Sequence, residues 1–185
     1  MIKLIECVDI LSIRKNSMSM AFCFVTWVVA ILYLFSHIEM GIAATSTFIL
    51  VTIQLISSIN DIYSRTIPIK FMIFSMILCF LIFGIFYKTN ALINCILGGV
   101  AAFVVMNLLI LISKRQVGGG DLALMTVTGF FAGINTFFSI LFISIVLTGM
   151  YSLFLVFAKK GNKNTEIPFA PFILLGTVIL VLSNN

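Results

Sequence analysis

The sequence predicts an all-α membrane protein, a polytopic bundle of about seven transmembrane helices. Three observations predict it. First, 62% of the 185 residues are hydrophobic and only 9% are charged. Soluble domains carry roughly 25% charged residues, so these charges are too few to cover a water-facing surface. That excludes a soluble globule, a disordered chain and a secreted disulfide scaffold, as does the mean hydropathy of +1.25. Second, apolar runs recur along the chain, and about 20 apolar residues suffice to cross a bilayer. Third, the charges gather between these runs.

The elements follow in order. Residues 1–18 form a polar head, expected in the cytoplasm. The first span, 19–36, is longer than the apolar stretch of a signal peptide and reads as a retained anchor. Residues 41–60, 69–87 and 91–113 are the second to fourth spans. A short fifth span, 121–133, is parted from the sixth, 136–158, by Gly133-Ile134-Asn135. The seventh covers 168–183. No repeat, low-complexity segment or soluble domain interrupts them, so 1–185 is a single membrane domain.

The basic residues orient the bundle. With seven crossings, Lys3, Arg14, Lys15, Arg65, Lys70, Lys114, Arg115, Lys159, Lys160 and Lys163 share one side, and only Lys88 lies on the other. The positive-inside rule then places the N-terminus in the cytoplasm and the C-terminus outside. Leaving out the short fifth span would move Lys159–Lys163 outside, which argues that it crosses. The net charge of +5 is thus accounted for by membrane loops and anionic lipid, without nucleic acid.

Metal and disulfide chemistry find little support. Cys7, Cys23, Cys79 and Cys95 are far apart and form no C-x-x-C pair. His37 is the only histidine, too little for a His-based metal site or triad. No metal or other cofactor is expected.

Four of the six acidic residues, Glu6, Asp9, Glu39 and Glu166, lie in the head or loops. Asp61 and Asp121 differ. Each abuts a span, and the topology puts both at the cytoplasmic edge. Two carboxyl groups brought within a few ångströms cannot both ionise easily. Such a pair holds a general base to activate water and a general acid to protonate a carbonyl oxygen, as in aspartic proteases. The plainer alternative is that each Asp ends a helix at the interface, where charge is cheap and a helix N-terminus favours Asp121.

The flanking residues add to the first reading. Gly118-Gly119-Gly120 precede Asp121; they offer backbone freedom and let another segment approach the carboxylate closely. Asp61 is followed by Arg65 and Pro68, and Pro68 suits the first turn of a span. Arg65 has three available partners: Asp61, lipid phosphate or a substrate carboxylate. Gly129 and Gly133 form G-x-x-x-G on the fifth span, a pattern suited to close packing, expected here against the second span. Ser57, Ser58 and Asn60 are candidates to hydrogen-bond near the acids or to cap the second span.

At these residues the sequence resembles the prepilin peptidases, membrane aspartyl proteases with a G-x-G-D motif. Three ordered blocks carry the resemblance. Asp61 to Pro68 is similar to D-x-x-x-R-x-I-P-N. Gly118-Gly119-Gly120-Asp121-Leu122-Ala123-Leu124 fits G-x-G-D before an apolar helix. Ile167-Pro168-Phe169-Ala170-Pro171-Phe172 looks like I-P-F-G-P-F. The departures are Ile69 for a frequent Asn, Ala123 for a frequent Lys, and Ala170 for Gly.

The resemblance implies that Asp61 and Asp121 are the catalytic pair, that Gly118, Gly119 and Gly120 form an active-site loop, and that 41–183 is a six-helix peptidase-like core behind an added first span. Arg65, Pro68, Pro168, Phe169 and Pro171 would support substrate or structure. The implied substrates are type IV prepilins or pseudopilins, cut after a short basic leader at the cytoplasmic face of the bacterial cytoplasmic (inner) membrane. Larger members also N-methylate the product and carry paired C-x-x-C motifs; lacking such pairs, this chain is expected to be a peptidase without methyltransferase activity. Two rival readings stay open: a carboxylate-bearing transporter, and an inactive scaffold of a pilus or secretion assembly.

Overall fold

A computed structural model describes residues 42–65, 67, 69–86, 89–113, 118–157 and 167–183, with Ala21, Val25 and Val28 as isolated positions. The expected head, the rest of the first span, Pro68 and the loop lysines at 88, 114, 159, 160 and 163 lie outside the described residues. Six helices are described: α1 (Ile42–Ser64), α2 (Ile69–Phe86), α3 (Thr89–Ile112), α4 (Gly119–Ala132), α5 (Ile134–Phe157) and α6 (Ala170–Ser183). Three of them contain stretches long and apolar enough to cross a membrane: Thr45–Ser64, Ala91–Ile112 and Ile134–Phe157.

The bundle exposes large apolar side chains and encloses polar ones within an otherwise apolar core. Phe142, Leu111 and Phe157 are exposed, at 70%, 74% and 83%. Gln54, Ser57, Ser58, Thr128 and Ser144 are completely buried. Helices that are apolar around their whole circumference, as α2, α3, α5 and α6 are, suit a hydrocarbon surround. A buried hydroxyl in that setting needs a partner. Ser57, Ser58 and Ser144 each donate to the carbonyl four residues back, at 2.7–2.8 Å. Ser57 and Ser58 are therefore satisfied within α1 and do not cap it.

The short helix α4 is the centre. Every residue from Leu124 to Phe131 is buried. Its most extensive contact is with α3. A Cβ on Gly98 would strike the Gly129 carbonyl and come within 2.6 Å of the Gly133 carbonyl carbon. A Cβ on Gly129 would in turn strike the Gly98 carbonyl. The G-x-x-x-G pair therefore packs against the fourth span and not, as expected, the second. The reason is complementarity: α3 offers a glycine of its own at the crossing, so the two backbones meet directly. Gly133 also ends α4 at φ +76°, a conformation that favours glycine. Asn94 of α3 lies against it, and its Oδ1 accepts the Ile134 N–H at 3.4 Å.

The remaining helices close around α4. Phe80 of α2 meets Phe130 with ring centroids 5.1 Å apart. A second apolar cluster, Val51, Leu55, Leu174 and Val178, joins α1 to α6. Gly176 of α6 sits against Ser144 of α5, whose Oγ would lie 2.7 Å from an added Cβ.

Two boundaries matter for the acids. The second span was expected to stop at 60, but α1 runs on to Ser64, because Ile59 and Ile62 continue its packing on the Leu174 cluster. Asp61 is thus inside the last helical turns. Arg65 then leaves the helix at φ +50°, its N–H donating to the Asp61 carbonyl at 3.1 Å. The helix containing Asp121 begins earlier than expected, at Gly119, so Asp121 lies in its first turn.

Candidate active site

Asp61 is 7% exposed and faces α6. Its Oδ2 accepts the backbone N–H of Ala170 at 3.1 Å, and the Phe169 amide also acts on this carboxylate. Local sequence explains why those amides are available. Ala170 is the first residue of α6, where backbone donors have no helical acceptor. The Phe169 carbonyl accepts from Phe172 and Ile173 at 3.0 and 3.3 Å and so caps the first turn. Pro171 occupies that turn without a donor of its own to satisfy. Pro168 precedes the helix and is half-buried, outside α6 although the seventh span was expected to begin there. The carboxylate thus sits at the positive end of a helix.

Asp121 approaches from α4. Its own N–H donates to the Gly118 carbonyl at 3.1 Å. Asp121 lines a groove together with Phe169, and Asp61 bonds the adjacent Ala170, so both acids face the start of α6; the charge of Asp61 also acts on Asp121. They arrive from opposite directions, one near the C-terminal end of α1 and the other at the N-terminal end of α4.

The three glycines before Asp121 are not equivalent. Gly118 adopts φ −72° and ψ 146°, open to any residue, so the expected need for special backbone freedom is not met there. A Cβ on Gly119 would meet nothing within 4 Å. A Cβ on Gly120 would lie 2.8 Å from the Ile67 Cβ. Ile67 belongs to the segment following Asp61, so Gly120 is where the two acid-bearing segments touch. The expected close approach falls on this one glycine.

Beside Asp121 opens an apolar groove of about 390 Å³, lined by Met106 and Leu109 of α3, Leu141 and Ile145 of α5, and Ile167 and Phe169. A second cavity, of about 310 Å³, lies at the opposite end of the bundle among Ser46, Asn94 and Thr177, and holds no carboxylate. Arg65 is exposed, and its charge acts on Asp61.

Two features of the site are not apparent from the sequence. One is the role of the Phe169 and Ala170 amides; the paired prolines around them were the available signal. The other is Gln54, whose Nε2 donates to Thr128 Oγ1 at 3.2 Å between α1 and α4. A lone amide in an apolar run carries no one-dimensional sign of its partner.

Helices long and apolar enough to span a bilayer, and two acids at helix ends that both face the start of α6 beside an apolar groove, define a helical membrane protein with a site suited to acid–base chemistry. The chain belongs to the type IV leader peptidase family, which it matches over residues 48–153, a stretch holding both Asp61 and Asp121. It is similar to the prepilin leader peptidase/N-methyltransferase of Bacillus subtilis (strain 168), with 27% identity over 158 residues. That similarity covers 84% of this chain and 63% of the Bacillus protein. No solved structure gives a significant match.

Proposed function

We propose that this chain is a membrane aspartyl endopeptidase that removes the short basic leader of type IV prepilins or pseudopilins. It acts at the cytoplasmic face of the bacterial inner membrane, which it crosses several times. The observation that carries this reading is that Asp61 and Asp121, from the ends of two helices, both face the start of α6, one bonded to Ala170 and the other beside Phe169, in a chain of the leader peptidase family.

The chemistry needs only the pair and water. One carboxylate takes a proton from water as the oxygen attacks the scissile carbonyl carbon. The other carboxyl gives its proton to the carbonyl oxygen. The tetrahedral intermediate then collapses, the C–N bond breaks, and the amine leaves with the proton taken from water. The groove beside Asp121 would hold apolar side chains of the substrate helix, while a basic leader stays in the cytoplasm.

A transporter reading is weaker, since intramembrane acids of carriers sit near the midplane and these lie at helix ends. Co-expression with a type IV prepilin, read by leader removal on a gel, tests the proposal. Asp61→Asn and Asp121→Asn should each lower cleavage by about 100-fold or more. Wild-type cleavage by either variant would refute the mechanism, and an inactive parent chain would support the scaffold reading.

A further inference from the structure

Gln54 is completely buried, in a helix where the neighbouring inward hydroxyls of Ser57 and Ser58 are satisfied by their own backbone. Its Nε2 crosses to Thr128 Oγ1 at 3.2 Å, and Thr128 Oγ1 donates onward to the Leu124 carbonyl at 2.9 Å. Its Oε1 has no partner among the described residues. A buried, orphaned acceptor opposes folding. An apolar residue of similar size would avoid that cost, so the amide is poorly explained as a device for stability.

Its position is informative. Gln54 precedes Asp61 by seven residues on α1, and Thr128 follows Asp121 by seven on α4. Seven residues are two turns, about 10 Å of rise with only about 20° of rotation. Gln54 therefore lies on the same face of α1 as Asp61, and Thr128 on the same face of α4 as Asp121. The two helices run in opposite directions, so one hydrogen bond ties them one heptad inward from the acids. The neighbouring inward hydroxyls, Ser57 and Ser58, bond back to their own helix and not to α4, and a slip of α1 along α4 would separate the carboxyl groups.

We infer that Gln54 and Thr128 are positioning residues, a clamp that sets the register of α1 against α4 and thereby the spacing of Asp61 and Asp121. This rests on the reading of those two acids as the reacting pair. Neither residue touches substrate in this role; each acts through the helix that carries an acid.

The full-length chain in membranes tests it against prepilin cleavage. Gln54→Met and Thr128→Val should each lower kcat by about 10- to 100-fold, with KM changed less than about twofold. Thermal stability of Gln54→Met should be unchanged or higher. Thr128→Ser, which keeps the hydroxyl, should restore kcat. The Gln54→Met/Thr128→Val double variant should be no slower than the slower single variant, because both remove one bond.

A register measurement independent of activity uses Asp61→Cys with Asp121→Cys, the four native cysteines being replaced by alanine, and thiol linkers of graded length. Adding Gln54→Met should broaden the range of linkers that bridge the pair. Unchanged kcat in both single variants overturns the clamp, as does an unchanged linker range. A kcat loss that Thr128→Ser does not restore and that follows falling stability assigns a structural role only, and also overturns it. Full activity of Asp61→Asn and Asp121→Asn would defeat the underlying dyad reading alone, and the linker range would still decide the clamp.

Discussion

Asp61 is held by a backbone amide at a helix start, with the Arg65 charge acting on it as well. Its Ala170 N–H bond at 3.1 Å uses a helix-start donor, so no other residue needs to be polar there. Hydrogen bonds to charged groups contribute about 1.5–3 kcal/mol. Ala170→Pro removes the donor while keeping a residue suited to the first helical position. Cleavage should fall about 10- to 100-fold, by the same energy, with α6 retained by circular dichroism. Gly120 and Gly119 make a paired prediction. Gly120→Ala forces Ile67 away and should cost about 1–3 kcal/mol of overpacking, seen as a lower melting temperature and slower cleavage. Gly119→Ala meets open space and should leave both near wild type. The G-x-G-D pattern was legible in the sequence; which glycine is closely packed was not, because the difference is the position of Ile67.

At the scale of elements, α4 is short yet central, and its neighbours are chosen by small residues. The contact of Gly98 with Gly129 brings the backbones of α3 and α4 together. Gly98→Ala should destabilise the fold by about 1–3 kcal/mol, while Gly84→Ala, with nothing within 4 Å, should not; thermal unfolding in detergent compares them. The described helices were legible to within a few residues, because apolar run length is a direct property of the chain. The ends were less so. Ile59 and Ile62 carry α1 past Asn60 by packing on α6, and a contact across more than 100 residues leaves no local trace. The G-x-x-x-G motif signalled a close approach but not its partner, since a smooth helix face fits any other smooth face. The glycine on α3 settles the choice.

For the whole molecule, the distribution of polarity is the organising fact. Gln54, Ser57, Ser58 and Asp61 turn inward on α1 while Phe48, Ile56 and Tyr63 turn outward. This is the order required where hydrocarbon, not water, is the solvent. The sequence expectation that ten of eleven basic residues share the cytoplasmic side gives a direct test. In intact cells, a cysteine placed at Lys88 should react with an impermeant thiol reagent, and one placed at Lys114 should react only after permeabilisation. The reverse pattern would put both acids on the outer face, away from a cytoplasmic leader.

By itself, the sequence determined the helical membrane class and the approximate bounds of the described helices, and it singled out the two acids as candidates. Each of these follows from a residue's own preference for hydrocarbon or water, and that preference is written position by position. Only the tertiary structure decided that Ala170 at the start of α6 offers its amide to Asp61, that Gly120 receives Ile67, that α3 pairs with α4, and that Gln54 reaches Thr128. Those outcomes depend on which surfaces fit together, and fit exists only between segments already brought side by side.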